Sequence, residues 1–307
     1  MEIKTFDELI EKVKKTGAPK RMAAAAAADV HTLEAALEAG KAGLVRPILV
    51  GDKKKILTAL EELGGASGDI KESDIYDAED DAEASKLAVS LIREGKADFL
   101  MKGLVDTKVL MGAVVDKTAG LNPGGLMSHF ALFEVPGYHK LLSVVDAGMV
   151  PYPTLEQKRT ILENTVNTLR ILGYDCPKAG VLACVEKVNP KFPETTEAAE
   201  LEEMNKRGEI KNCIINGPVS YDCAMSREIA EIKGYGGEIS GEPDILLAPN
   251  IHAGNIMAKM LTCTCGAKMA GIIVGAACPI VLTSRGSSAE EKFLSIVLSA
   301  AVSLGQM

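Results

Sequence analysis

The chain has 307 residues, more than one hydrophobic core usually holds, and with 47% apolar against 25% charged residues it can bury a substantial core, so a folded protein of two domains is expected. Its net charge of -8, with no basic stripe carrying interleaved aromatics, excludes nucleic acid as a partner, because phosphate backbones are met by clustered Lys and Arg. The longest apolar runs, such as residues 269–283, are broken by Gly and Pro and fall short of the roughly 20 residues that cross a bilayer, which excludes a membrane span.

The amino terminus, Met1-Glu2-Ile3-Lys4, lacks the cationic and apolar regions of an export signal, so a cytoplasmic location is expected. From there, short apolar runs rich in β-branched residues alternate with longer segments of helical period, the mark of a parallel sheet with crossover helices. A helix over 6–16 leads to a strand at 20–27, a helix at 31–40, and a strand at 45–50 that stops at Gly51-Asp52. The alanine run Ala23 to Ala28 fits a tightly packed strand facing helices, with the first turns of a helix as the alternative. Helices fit 53–63 and 80–95, the second feeding a strand at 98–101. The stretches 127–135 and 140–145 are joined by Pro136-Gly137 with no room for a helix, and read as a hairpin or an antiparallel edge. After Pro151-Tyr152-Pro153, Thr154 is a good N-cap for a long helix that runs to Leu172 and ends at Gly173. The prolines and that helix place a domain boundary near residue 150. The second half repeats the alternation, with strands at 178–184, 212–216, 244–248, 269–274 and 279–283 and helices at 195–207, 221–232, 252–265 and 288–304.

Cys176, Cys184, Cys213, Cys223, Cys263, Cys265 and Cys278 make an odd number in a chain without an export signal, so reduced thiols are expected. Cys263 and Cys265 are separated by a single residue, with no second pair at a zinc-like spacing. His31, His129, His139 and His252 are scattered, and no metal site is expected.

The strongest chemical signal is Ser284-Arg285, between the strand at 279–283 and the helix that follows. A hydroxyl and a guanidinium fork delivered to a strand's carboxyl end, beside a helix N-terminus, make a seat for a phosphate or a phosphorylated substrate. Ser287-Ser288-Ala289-Glu290 matches a capping box, which accounts for Glu290. Glu291 lies about 100° farther around the helix, and is either a general base facing Ser284 and Arg285 or a solvated first-turn acid favoured by the helix dipole.

Two other strand ends carry polar groups. Pro249-Asn250-Ile251-His252-Ala253-Gly254-Asn255 follows the strand at 244–248, at the carboxyl tip where α/β proteins place ligands. Asn250 is a helix cap or a ligand contact; Gly254 and Asn255 are poor helix formers in a first turn and suggest close approach by a ligand or another chain. Lys102-Gly103-Leu104-Val105-Asp106-Thr107 brings a cation, a glycine and a capping hydroxyl to another strand end, a phosphate site or a plain βα turn. No GxGxxG, Walker A, G-x-S-x-G or H-E-x-x-H sequence occurs, which removes the common nucleotide, hydrolase and zincin readings.

Four strings, Cys184-Val185-Glu186-Lys187-Val188-Asn189-Pro190, Asn216-Gly217-Pro218-Val219-Ser220-Tyr221-Asp222, Pro249 to Asn255 and Pro279 to Arg285, resemble in order and spacing the phosphate acetyl/butyryl transferase family. The first is closer to the butyryl branch. The resemblance covers nearly the whole chain and implies two α/β domains of the isocitrate/isopropylmalate dehydrogenase-like type, with mostly parallel sheets and an interdomain cleft. With a last helix that returns to the first domain, the domains would be 1–150 plus 284–307 and 151–283, and the second would form a homodimer or a larger homo-oligomer.

Carried over residue by residue, the family's Ser-Arg-Gly pattern falls on Ser284, Arg285 and Gly286, its catalytic acid on Glu291, its amide on Asn255, and its strand-end pair on Gly103 and Thr107. That acid is commonly aspartate in the acetyl branch. The implied reaction is reversible acyl exchange between coenzyme A and inorganic phosphate, both substrates, with no permanently bound cofactor. A metal- and NAD-dependent dehydrogenase of the same fold is the alternative, and it would need clustered metal-binding aspartates or histidines that Asp222, Asp244 and the four histidines do not offer in sequence. A silent, ligand-sensing member of the fold would be expected to have lost Arg285 or the acid after it.

Overall fold

The computed structural model describes residues 2–64, 70–122, 124–284 and 286–305, so Arg285 lies outside the described residues. Contacts divide the chain into a middle unit of 126–269 with 1–5, and a terminal unit of 6–125 with 270–307. The two strands that precede residue 150 thus group with the residues that follow them.

The terminal unit opens with α1 (Phe6–Lys14), β1 (Lys20–Ala25), α2 (Val30–Lys41), β2 (Val45–Gly51), α3 (Lys53–Glu62), β3 (Ile75–Asp77), α4 (Asp81–Arg93), β4 (Phe99–Lys102) and α5 (Thr107–Val114). The middle unit supplies β5 (Ser128–Glu134), β6 (Leu142–Val145), α6 (Leu155–Leu172), β7 (Lys178–Leu182), α7 (Pro193–Lys206), β8 (Ile214–Val219), α8 (Tyr221–Met225), α9 (Arg227–Ile232), β9 (Ile245–Leu247) and α10 (Ile251–Cys263). The chain returns to the terminal unit with β10 (Lys268–Val274), β11 (Ile280–Val281) and α11 (Ala289–Ser303).

Strands of the terminal unit lie in the order β3-β2-β1-β4-β11-β10. All pair in parallel except β10, which runs antiparallel to β11. Those of the middle unit lie in the order β5-β6-β9-β7-β8, parallel except for β5 against β6. Each unit is therefore an α/β layer with a mostly parallel sheet, as the alternation of runs predicts. No helix among the described residues is long and apolar enough to cross a membrane.

The helix limits follow local chemistry. Thr154 caps α6 in a reciprocal capping box with Gln157, and Gly173 ends the helix at φ 107°, where a Cβ would be strained. The segment expected as one helix over 221–232 is two, because Ser226 leaves the helical conformation and its side chain accepts from Ile229 N to start α9. β3 is a strand that the expected elements lack; only Ile75 of its three residues is buried, too little apolar sequence to stand out.

The alanine run is a strand through Ala25, with Ala23, Ala24 and Ala25 fully enclosed, and Ala26 turns away at φ 53°. Small side chains are needed there because the chain after β4 passes directly over it. Gly103 N–H donates to Ala25 O at 2.8 Å and Leu104 N–H to Ala26 O at 3.0 Å. A Cβ on Gly103 would sit 2.3 Å from Ala26 O and 2.7 Å from Ala25 O. Gly103→Ala is expected to cost about 2–3 kcal/mol through forced backbone shifts, read as a lower urea midpoint with unchanged m-value. A change below about 0.5 kcal/mol would show that the two strand ends do not touch this closely.

Candidate active site

Two loops of the terminal unit leave neighbouring parallel strands at one edge. Ile280 lies opposite Leu100 and Val281 opposite Met101, so Lys102-Gly103 and Leu282-Thr283-Ser284 emerge side by side, about 5 Å apart as adjacent strands are.

The corner after β11 is held by serines. Ser284 N–H donates to Ser287 Oγ at 3.1 Å, and the Ser287 hydroxyl donates to Glu291 Oε1 at 2.6 Å. Ser288 is the N-cap, its Oγ accepting from Glu291 N at 3.1 Å. The cap thus falls one residue later than the capping box expected at Ser287–Glu290, and Glu291, not Glu290, is the third helical residue. Ser288 takes the extended conformation that a cap requires, while the Ser287 hydroxyl is drawn to the Glu291 carboxylate. Glu291 is half-buried and its carboxylate folds back over the corner. Ser284 is exposed; Gly286 N–H reaches its Oγ at 3.4 Å, which leaves the hydroxyl hydrogen to donate outward. A Cβ on Gly286 would meet nothing within 4 Å, so this glycine is not imposed by packing.

At the neighbouring loop, Lys102 Nζ donates to Gly103 O at 3.1 Å and Val105 O at 3.0 Å, stitching its own turn. The cap of α5 is Asp106, whose carboxylate accepts from Lys108 N at 2.8 Å; Thr107 is the exposed first helical residue. A cavity of about 600 Å³ opens at the same edge, lined by Ala26, Gly51, Asp52, Asp80 and the exposed Leu104. Asp52 and Asp80 cap α3 and α4, so helix N-termini form part of its wall.

In the middle unit, Asn250 caps α10 by accepting from Ala253 N at 3.1 Å. A Cβ on Gly254 would lie 2.5 Å from Asp146 O, and Asn255 Nδ2 donates to Ala147 O at 3.1 Å. Both poor helix formers are thus spent on the turn after β6. Asp146 organises that turn, accepting from His129 N at 3.0 Å and from Gly148 N and Met149 N at 2.8 Å each.

A second polar cluster of the middle unit joins the loops after β7 and β8, on two of the strings singled out in the sequence, although sequence reading gave no role to Glu186, Ser220 or Lys233 and set Asp222 aside as a metal ligand. The Ser220 hydroxyl lies against Glu186 Oε1 and within 2.5 Å of Asp222 Oδ1. Lys233 Nζ bridges Glu186 Oε1 at 3.0 Å and Asp222 Oδ2 at 2.9 Å. Glu186, Asp222 and Cys223 are the one group among the described residues whose ligand atoms cluster as a metal would need, within 4.8 Å. Lys233 already pairs with both carboxylates and offsets one of their two charges, so the cluster is held as an internal ion-paired bridge.

Comparisons with known proteins agree with the expected family. The sequence profile described as phosphate acetyl/butaryl transferase matches residues 78–300. The phosphate butyryltransferase of Clostridium acetobutylicum is 42% identical over 300 residues, covering 98% of each chain. The phosphate acetyltransferase of Thermotoga maritima is 40% identical over 295 residues, 96% of this chain and 98% of that one. Among solved structures, a branched-chain phosphotransacylase from Enterococcus faecalis V583 superposes with a TM-score of 0.80 at 29% identity, over 92% of this chain and 99% of that one.

The Ser220 hydroxyl, and then Lys233, hold the Asp222 carboxyl down at about 2. That lies below the value near 4 expected when unfolded, so its stabilising contribution is complete above about pH 4 and fades as pH falls toward 2. Asp222→Asn is expected to flatten the acid limb of stability against pH in urea titrations between those limits. An unaltered slope would mean that the bridge does not form in solution.

Proposed function

We propose that this chain, which belongs to the phosphate acetyl/butyryl transferase family, moves a short acyl group between coenzyme A and inorganic phosphate at the corner between β11 and α11. The observation that carries this placement is the half-buried Glu291 carboxylate fixed by Ser287 beside the outward-donating Ser284 hydroxyl, at the start of a helix. Butyryl is the acyl group assigned, from the likeness of the Val185-Glu186-Lys187-Val188-Asn189-Pro190 string to that branch.

In the direction of thioester synthesis, the thiol proton passes to the Glu291 carboxylate as sulfur attacks the acyl carbonyl. The carbon–oxygen bond to phosphate then breaks, and phosphate leaves with the electron pair. A free thiol with a pKa near 8.5 is only a few per cent ionised at pH 7, so a held carboxylate accelerates the attack. Arg285 is assigned the role of holding two oxygens of the phosphoryl group as negative charge builds. Ser284 donates to the carbonyl oxygen or the sulfur, and the amides opening α11 add partial positive charge. Gly286 leaves the backbone open to the substrate. Lys102, Gly103 and Thr107 form the facing wall, with Lys102 and Gly103 shaping the loop. The cavity lined by Leu104 and the helix caps suits the uncharged arm of the coenzyme better than its phosphates, because Asp52 and Asp80 would repel them. Asn250, Gly254 and Asn255 support the reaction by holding the turn after β6. The protein is assigned to the cytoplasm as a homo-oligomer.

Arg285→Ala is expected to lower turnover about a hundredfold or more with the fold intact, measured as thiol release from acyl-CoA and phosphate; turnover within a few-fold of wild type would remove Arg285 from the chemistry. In Glu291→Gln the defect in the thiol-consuming direction should shrink as pH rises toward the thiol pKa, because thiolate then forms unaided. A pH-independent defect would confine Glu291 to capping. Specificity constants across acetyl-, propionyl-, butyryl- and branched acyl-CoA test the chain length. No turnover with any of them, together with substrate-dependent reduction of NAD, would favour the dehydrogenase.

A further inference from the structure

Lys292, the residue after Glu291, is only 9% exposed, and its side chain makes no hydrogen bond or ion pair with any described residue. A buried ammonium without a partner is costly, yet its Nζ is absent from the fully enclosed unpartnered atoms, so the head reaches accessible space. Two registers locate that space. Ser295 Oγ accepts from Gly271 N–H at 3.0 Å, and the antiparallel pairing that puts Ile273 opposite Ile280 puts Gly271 level with Leu282. Lys292 lies about 4.5 Å nearer the helix start than Ser295, a rise equal to between one and two strand residues of about 3.3 Å, which is the level of Thr283 and Ser284. Helical side chains lean toward the N-terminus, which would carry the lysine stem to the level of the buried Thr283, the Ser284 hydroxyl and the first amides of α11.

We propose that the Lys292 ammonium is a binding residue for the phosphoryl group that takes part in the exchange, inorganic phosphate in one direction and acyl phosphate in the other. The inference rests on the transferase reading above. A phosphate dianion supplies the counter-charge that no described residue gives this lysine, and the Ser284 hydroxyl and the helix amides offer further donors to the same oxygens. Coenzyme A also carries phosphates, so the test separates the two sources.

Steady-state kinetics would be compared for Lys292→Met, which keeps the volume of the stem, and Lys292→Arg, which keeps the charge. The expected result for Lys292→Met is a KM for inorganic phosphate raised about tenfold or more, with the KM for acyl-CoA within about twofold, and substantial recovery in Lys292→Arg. An unchanged KM for phosphate, or a rise confined to acyl-CoA, would overturn the assignment. A readout independent of turnover is the Tm in rising inorganic phosphate, expected to increase for the wild type and to stay flat for Lys292→Met; equal shifts would overturn it as well. A wild type that turns over no acyl-CoA, yet loses its phosphate-dependent Tm shift with this substitution, would sink the transferase reading and leave the anion site standing.

Discussion

The candidate site depends on a very short pairing. β11 is a strand of two residues, and its alignment with β4 decides where the last loop and helix of the terminal unit begin. Ile280 and Val281 are fully buried, and burying such side chains is worth about 1.5–3 kcal/mol each. Leu100 N–H donates to Pro279 O at 3.2 Å, extending the ladder by a bond that the proline can still accept. The enclosed face of α11, with Leu294, Ile296, Val297 and Leu298, then anchors the helix to the same layer. A corner that must be exposed to meet a substrate is thereby placed by groups that never leave the core.

At that corner, stability and, in the proposed reaction, chemistry draw on one side chain. The third residue of a helix is where a carboxylate is favoured by the helix dipole and by capping, and Glu291 takes that place with a serine on either side of the exchange. Held in this way, the base proposed above would need no reorganisation when the proton arrives, which is the condition under which electrostatic groups contribute most to catalysis. The carboxylates of Glu186 and Asp222 show the opposite use. There Lys233 satisfies both acids, and what results is a brace between two loops rather than a group with spare capacity.

Most elements were legible because apolar runs of period two and helical period alternate cleanly, and caps such as Thr154 and Gly173 mark their ends. The departures have local causes. The strand expected at 212–216 lies at 214–219 and contains Gly217-Pro218, a pair that reads as a turn. It is tolerated because β8 ends the order of its unit and pairs only with β7, so the missing proline N–H faces no second strand. The one-residue offset of the last cap arose because Ser287 and Ser288 are equal candidates in sequence, and only the backbone distinguishes the one that has left the helix. The roles of Ser220 and Lys233 were illegible, since a bridge between residues 186 and 233 has no signature in spacing.

Gly254 and Gly286 show why an unexpected glycine has to be read from its surroundings. Gly254 stands in the first turn of α10, where it suggested close approach by a ligand or another chain, and Gly286 precedes α11 as the glycine of the Ser-Arg-Gly pattern. At Gly254 the neighbour is the chain itself, because Asp146 O would lie 2.5 Å from any Cβ, and Asn255 fastens the same turn. At Gly286 the space is open to 4 Å, so packing gives no reason for the missing side chain. A residue that weakens its own element needs a compensating contact. For Gly254 that contact is internal, whereas packing supplies none for Gly286, which is why the phosphoryl group is proposed at the β11–α11 corner and not at the start of α10.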